Sequence, residues 1–175
     1  MPVSHRFRGY ALLLVAALVA ACAGDSPTGS EQDPFVTARV NGAAWRANYQ
    51  VDLAVADLMQ QGRLLEVVGL QVNQDGSTQQ VSVVIPDYAG PGTYPLRDPD
   101  PQAGAFGFYV TRASRTAEPV AYFTDAQHTG TITVAKMDQE RRQVSGTFSF
   151  RARQENGTAV VEVAGGEFRG RYVPQ

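Results

Sequence analysis

The chain has 175 residues and a formal net charge of −2, with 15 lysines and arginines against 17 aspartates and glutamates. This length suits one domain with a substantial core. The slightly acidic balance argues against nucleic acid as a partner, because such binding needs a basic surface. One cysteine excludes an internal disulfide. With only two histidines, a zinc site of the usual kind is disfavoured and no cofactor is indicated.

The chain starts with the pattern of a secretory signal peptide. Arg6 and Arg8 precede an apolar run from Ala11 to Cys22, with small residues just before the cysteine. The run is shorter than the roughly 20 residues that span a bilayer, which argues against an uncleaved transmembrane helix. Val19-Ala20-Ala21-Cys22 resembles the lipobox of bacterial lipoproteins, where the cysteine is acylated and the chain is cut just before it. We therefore predict a lipoprotein signal peptide over residues 1–21.

Residues 22–34 are predicted to form an acylated cysteine followed by a flexible tether. No large apolar side chain occurs from Ala23 to Pro34, and about 12 flexible residues reach roughly 20 Å. The lipobox resemblance implies membrane lipid as a partner through Cys22 and a location in the bacterial cell envelope. The absence of Asp after Cys22 favours the outer membrane under enterobacterial sorting rules. The alternative is cleavage after Ala23, which releases the protein to the periplasm.

Residues 35–175 are predicted to form a single β domain built from consecutive hairpins. Asn41-Gly42 stands between two alternating stretches and indicates a type I′ turn. This turn pairs Val40 with Ala43, Ala38 with Trp45 and Val36 with Ala47 on one apolar face. Thr37, Arg39, Ala44 and Arg46 then occupy the other face.

Two further hairpins are predicted in the same way, from turn residues that stand between alternating apolar stretches. A turn centred on Asp75-Gly76 pairs Leu70 with Val81 and Val68 with Val83. A turn at Asn156-Gly157 pairs Ala152 with Val161 and Phe150 with Val163. Alternation also predicts strands over residues 131–134, 144–150 and 168–172, with 138–142 as a polar connection. Residues 52–59 suit either a strand or a short helix.

Several short strands with one apolar face each must pack as two sheets or close on themselves. We predict an all-β, antiparallel β-sandwich, with a small closed or partly open β-barrel as the alternative. The stretch from Pro86 to Ala105 is rich in proline and glycine. It is predicted to be the main surface loop, with a strand only around Thr93 to Leu96.

Two groups of residues resemble an uncharacterised family of small bacterial β-rich lipoproteins. The first is Val40-Asn41-Gly42-Ala43-Ala44-Trp45, which is similar to the Val-Asn-Gly-x-x-Trp hairpin of that family. The second runs through Thr129 to Val134 and Val144-Ser145-Gly146-Thr147-Phe148-Ser149-Phe150, and ends at Gly166-Glu167-Phe168. The resemblance implies the fold and the location. It implies no catalytic residue, because the family's function is unknown.

Candidates for catalysis and metal binding are few. A Gly-x-Ser-x-Gly nucleophile elbow is absent, and His128 is the single histidine after the signal peptide. Asp125, His128 and Thr129 are predicted to form a polar cluster near a strand start, with His128 hydrogen-bonded in a turn. Asp87, Asp98 and Asp100 lie in or beside the surface loop without the spacing of an EF-hand, and Asp beside Gly or Pro suits ordinary turns.

Aromatic side chains offer the other route to function, since exposed Tyr and Trp bind sugars and protein partners. Trp45, Phe148, Phe150, Phe168 and Tyr172 fall on predicted inward faces and are assigned to the core. Tyr88, Tyr94, Tyr109 and His128 are the candidate ligand-binding residues. Exposure of two of these tyrosines together is the condition for a ligand patch.

These observations support two functional hypotheses. The first is a membrane-tethered, non-enzymatic β domain that binds a ligand, an envelope protein or a glycan, or serves a structural role. The second is an envelope enzyme that acts on polysaccharide or lipid through a carboxylate pair such as Asp125 and Glu167. The first is favoured because an anchor and a fold are indicated, whereas no catalytic motif is.

Overall fold

The structure is a computed structural model that describes residues 34–58, 62–100, 104–171 and 173–174. These residues form strands and connections without a helix, so the all-β prediction is confirmed. The strands are β1 (Phe35–Val40), β2 (Ala43–Arg46), β3 (Gln50–Leu58), β4 (Gly62–Val72), β5 (Thr78–Ile85), β6 (Gly92–Leu96), β7 (Phe106–Arg112), β8 (Val120–Phe123), β9 (Gly130–Asp138), β10 (Gln143–Gln154), β11 (Val160–Arg171) and β12 (Val173–Pro174).

The strands belong to one sheet that curls into a nearly closed, barrel-like form. Its hydrogen-bonded order is β12-β3-β4-β5-β7-β8-β10-β11-β1-β2, and β9 joins β10 to the short β6 outside this path. All pairs are antiparallel except β12 with β3. Residues 47–49 lead β2 directly into β3, so one length of chain pairs first with β1 and then with β4. The seam that stays unsealed lies between the two ends of this strand order, the β12–β3 edge and β2, where β1 and β2 also approach β4.

The first hairpin has the predicted turn and register. Asn41 and Gly42 both have positive φ, at 48° and 81°, as a type I′ turn requires. Val40 pairs with Ala43 and Ala38 with Trp45. Asn41 also accepts a hydrogen bond at Oδ1 from the Glu162 N–H at 2.9 Å, which joins the turn to β11.

The β4–β5 hairpin corrects the prediction by one residue. Leu70 pairs with Gln80 and Val68 with Ser82, not with Val81 and Val83. The reason is a three-residue loop, residues 74–76, in which Gly76 takes φ 82° and the Asn73 N–H donates to the Ser77 carbonyl at 2.9 Å. A shift of one residue exchanges the two faces of a strand. Leu70 and Val68 therefore point outward.

The third hairpin has the predicted pairs, although its loop is wider than two residues. Ala152 pairs with Val161 and Phe150 with Val163, while the Gln154 N–H donates to the Ala159 carbonyl at 2.8 Å across residues 155–158. β11 continues to Arg171 as one strand with a bulge near Gly165, whose φ is 56°. The extra residue lets Val163 and Phe168, at odd and even positions, both face inward.

Two other expectations are settled by the strand bounds. Residues 52–58 belong to β3, so a short helix is wrong for them. The proline- and glycine-rich stretch contains β6, Gly92–Leu96, where a strand was predicted. β6 is more than a surface segment, because Leu96 is fully buried and pairs with Gly130 of β9.

The interior is filled by aromatic side chains that lie against glycines. Gly146 pairs with Phe168, and Phe148 pairs with Gly166, on the same two strands. A Cβ placed on Gly146 would meet the Thr133 carbonyl and the Phe168 ring, and one on Gly166 would meet the Phe148 ring. Burial of Trp45, Phe148, Phe150 and Phe168 confirms their predicted core positions; Tyr172 lies outside the described residues.

Candidate functional site

The loop between β8 and β9 holds the most connected polar group among the described residues, which we name the Asp125 cluster: Asp125, His128 and Arg153. Asp125 Oδ1 accepts hydrogen bonds from the N–H groups of Gln127 and His128 at 2.8 and 2.7 Å. The same oxygen lies 2.8 Å from His128 Nδ1. The backbone closes the loop, since the Asp125 N–H donates to the His128 carbonyl at 2.9 Å.

Arg153 connects this loop to the neighbouring strand β10. Its Nε donates to Asp125 Oδ2 at 3.0 Å, and its NH1 donates to the Gly157 carbonyl at 3.2 Å. Partial burial alone would raise the pKa of Asp125. The hydrogen bonds from Arg153, Gln127 and His128 outweigh it and hold that pKa well below its usual range. Asp125 is therefore an ionised acceptor at neutral pH.

The cluster fastens a loop and offers little for catalysis. Both carboxylate oxygens of Asp125 already accept hydrogen bonds, and the low pKa makes the group a poor general acid. Among the described residues, no hydroxyl or thiol is hydrogen-bonded to His128. The predicted turn histidine beside Asp125 is confirmed. Sequence reasoning missed Arg153, which lies 28 residues from Asp125 and is brought beside it only by the pairing of β8 with β10.

The candidate tyrosines do not form one exposed patch. Tyr88 is 2% and Tyr109 is 7% exposed, and Tyr94 is half-buried. Tyr88 and Tyr94 lie together, with ring centroids 5.9 Å apart, whereas Tyr109 contacts Tyr122 at 5.8 Å. Burial raises the pKa of Tyr109. The condition set for a tyrosine ligand patch is therefore not met by the residues described.

The two carboxylates considered for acid–base chemistry, Asp125 and Glu167, do not form a catalytic pair. Asp125 is committed to its loop, and Glu167 is exposed on the outer face of β11. Within the described ranges, no group of three or more His, Cys, Asp or Glu side chains is arranged to hold a metal ion. Asp98 accepts a hydrogen bond from the Asp100 N–H at 3.1 Å, as in an ordinary Asx turn.

Two shallow grooves cross the outer face of the sheet and meet at Gly165. One, of about 560 Å³, lies over β9, β10 and β11 beside Thr131, Arg151 and Glu162. The other, of about 490 Å³, continues over β1 and β2 beside Arg39 and Glu167. Their walls carry charged and hydroxyl groups, which suits a polar ligand. No sequence pattern marks them, because their residues come from six strands that only the fold brings together.

Cys22, the predicted lipidation site, lies outside the described residues. Within the part of the chain that the structure covers, no helix is long and apolar enough to cross a membrane.

The fold and its polar groups define a class: an all-β domain with a nearly closed sheet, a packed aromatic interior and polar grooves on one outer face. The chain belongs to the family described as a domain of unknown function, DUF6252, whose model matches residues 32–170. The predicted resemblance to an uncharacterised family is thus confirmed. No curated protein and no solved structure matches the chain.

Proposed function

We propose that this protein is a lipid-anchored domain of the bacterial cell envelope that binds a ligand or partner, or has a structural role, without catalysing a reaction. Cys22 is the anchor, and the polar segment from Ala23 to Pro34 is the tether. The outer membrane is the proposed site. The observation that supports the lipid anchor is the lipobox-like Val19-Ala20-Ala21-Cys22 at the end of a signal-type apolar run.

Features of the described domain support this proposal. Asp125, the carboxylate considered for catalysis, is hydrogen-bonded within its loop and to Arg153. The candidate tyrosines are largely buried. The grooves that meet at Gly165 offer charged and hydroxyl side chains to an envelope glycan or a protein segment. A binding or structural role uses such a surface directly, since it needs no activated nucleophile.

The anchor is tested in a Gram-negative host that expresses the full chain and is fed an alkyne-tagged fatty acid. We expect acyl label on the wild-type protein and its recovery with the outer-membrane fraction, because two or three acyl chains make dissociation negligible. Cys22→Ser should lose both the label and the membrane retention.

Ser26→Ala, in the tether, is the matched control and should behave as wild type. Membrane retention of Cys22→Ser without label would overturn the acyl anchor. Recovery of labelled wild-type protein in the inner membrane would overturn the outer-membrane assignment and leave the anchor standing.

A further inference from the structure

The outer surface of the sheet has an apolar half that the proposed function does not use. Val68, Ser82, Phe108 and Phe123 form one cross-strand row over β4, β5, β7 and β8, and Val84 pairs with Phe106 beside it. We name the half-buried side chains here the apolar face: Val68, Val84, Phe106, Phe108, Val110 and Phe123.

These side chains lie outside the core. They alternate along their strands with the buried Val67, Val83 and Tyr109, which point inward. Ring centroids of Phe106 and Phe108 are 6.2 Å apart, and those of Phe108 and Phe123 are 5.8 Å apart, so the three rings form a continuous strip.

The polar side chain at the centre of the strip, Ser82, is hydrogen-bonded within the protein, and the one carboxylate beside the strip, Glu66, pairs with Val84 at its β4 edge. Ser82 is 1% exposed and lies between Val68 and Phe108. Its Oγ accepts a hydrogen bond from Gln80 Nε2 at 3.0 Å. Covering this face with an apolar medium therefore leaves no unpaired group at its centre, where an unpaired group would make burial costly.

The outer positions of β9, β10 and β11 have the opposite character. Thr131, Thr147, Arg151 and Glu162 are exposed there, and the two grooves lie on this side. The outer side chains are thus mainly apolar on β4, β5, β7 and β8 and mainly polar on β9, β10 and β11, where Val160 is an exposed exception. An extended apolar patch on a protein surface marks a contact.

We propose that the apolar face rests on membrane lipid, so that the grooved half faces the aqueous compartment. This rests on the proposed anchor at Cys22. The chain between Cys22 and the start of β1 at Phe35 is about 12 residues long and reaches roughly 20 Å, so the domain stays close to the bilayer. Its lipid surface is then present at high effective concentration, and even a weak apolar contact is occupied.

Lipid is favoured over a protein partner for the same reason. A partner must be met by diffusion, whereas the tether supplies lipid continuously. The exposed Arg112 continues the outer side of β7 beyond Val110, where a guanidinium can reach the headgroups while its stem covers apolar surface. An apolar surface with a basic side chain at its edge, here Arg112, is a feature of interfacial membrane contacts.

The experiment uses the mature acylated protein, which begins at Cys22 after processing, reconstituted into vesicles of phosphatidylethanolamine and phosphatidylglycerol. The variants are Phe108→Trp on the apolar face and Thr147→Trp on the polar half. Their fluorescence is compared between vesicles with brominated and with ordinary acyl chains, after subtraction of the buried Trp45 signal measured in the wild type. We expect bromine to quench Phe108→Trp by about half, because interfacial apolar groups insert about 5–10 Å, and to leave Thr147→Trp unchanged.

Flotation of the wild type with the vesicles separates the two proposals. If it floats and Phe108→Trp is quenched no more than Thr147→Trp, the lipid contact is overturned and the anchor stands. If labelled wild type does not float, the anchor itself fails. Emission of Phe108→Trp that is blue-shifted in native envelopes yet unquenched by brominated lipid would assign the face to a protein. Val110→Trp replaces Phe108→Trp should the latter lose the native circular dichroism spectrum.

Discussion

At the scale of single residues, Asp125 does more for the fold than any other described carboxylate. Its Oδ1 accepts hydrogen bonds from N–H groups of its own loop, and its Oδ2 accepts one from Arg153 of β10. Asp75 acts more locally: hydrogen bonds from the Ser77 side chain and backbone lower its pKa, but they stay within one turn. The difference is that Asp125 joins segments far apart in sequence.

Asp125→Asn should lower the free energy of unfolding by about 1–2 kcal/mol at pH 7, because charge-assisted hydrogen bonds are lost. The folded-state pKa of Asp125 lies below its unfolded value near 3.9. Its contribution is therefore complete above that pH and declines as pH falls through the folded-state pKa. Urea unfolding of both proteins at several pH values measures this.

The difference between wild type and Asp125→Asn should shrink below pH 4. Asp98→Asn, in an exposed Asx turn, is the control and should cost under about 0.5 kcal/mol. A difference that grows as pH falls below 4 would contradict the assignment of Asp125 as an ionised acceptor.

At the scale of elements, the residues on which the predicted family resemblance rests are explained by packing. Val-Ser-Gly-Thr-Phe-Ser-Phe on β10 and Gly-Glu-Phe on β11 meet as two reciprocal pairs, Gly146 with Phe168 and Phe148 with Gly166. Each ring occupies the space that the opposite glycine leaves free. These glycine and phenylalanine residues are therefore explained by the close packing of β10 against β11 inside the sheet.

Gly166→Ala should destabilise the protein by about 1–3 kcal/mol, because its methyl group meets the Phe148 ring in a packed interior. Thermal or urea unfolding provides the measurement. Combining Gly166→Ala with Phe148→Leu should cost less than the sum of the two single changes, since leucine frees the space for the methyl group. Strict additivity would show that the methyl group and the ring do not compete.

The same elements show how far sequence reasoning reaches. Turn chemistry predicted the β1–β2 register, because Asn41-Gly42 suits only a tight two-residue turn. It failed by one residue at Asp75-Gly76, where a two-residue and a three-residue loop both place glycine at positive φ. The placement of Asp125 near His128 was predictable from local spacing. The apolar face and Arg153's contact were not, because they depend on which distant strands become neighbours.

At the scale of the whole molecule, side chains reinforce the few backbone hydrogen bonds, from the Asn48 and Tyr49 N–H groups to the Leu70 carbonyl, that join the β2–β3 connection to β4. Trp45 of β2 lies over Gly69 of β4, and a Cβ on Gly69 would be 2.9 Å from the indole ring. Beyond the last β3–β4 pair, the Asn48 amide both accepts from the Val72 N–H at 2.8 Å and donates to the Val72 carbonyl at 3.1 Å.

Asn48→Ala should cost about 1 kcal/mol, the net value of the hydrogen bonds removed at an exposed site. Native-state hydrogen exchange gives the sharper readout: the Val72 amide should exchange faster, whereas amides of β10 should keep their protection. Asn156→Ala, in an exposed turn of another hairpin, is the matched control. Unchanged exchange at Val72 would remove Asn48 from this role.

An asparagine amide carries a carbonyl and an N–H side by side, as a peptide group does, so Asn48 serves Val72 as a substitute piece of main chain. Elsewhere the sheet is held mainly by backbone ladders, in which the identity of the side chain does not enter, although Asn41 accepts from the Glu162 N–H in a comparable way. At the Asn48 rung it does: aspartate lacks the donor, serine is too short to present both groups, and glutamine sets them one carbon further away. At this contact with Val72, unlike in a backbone ladder, the residue type decides whether both hydrogen bonds form.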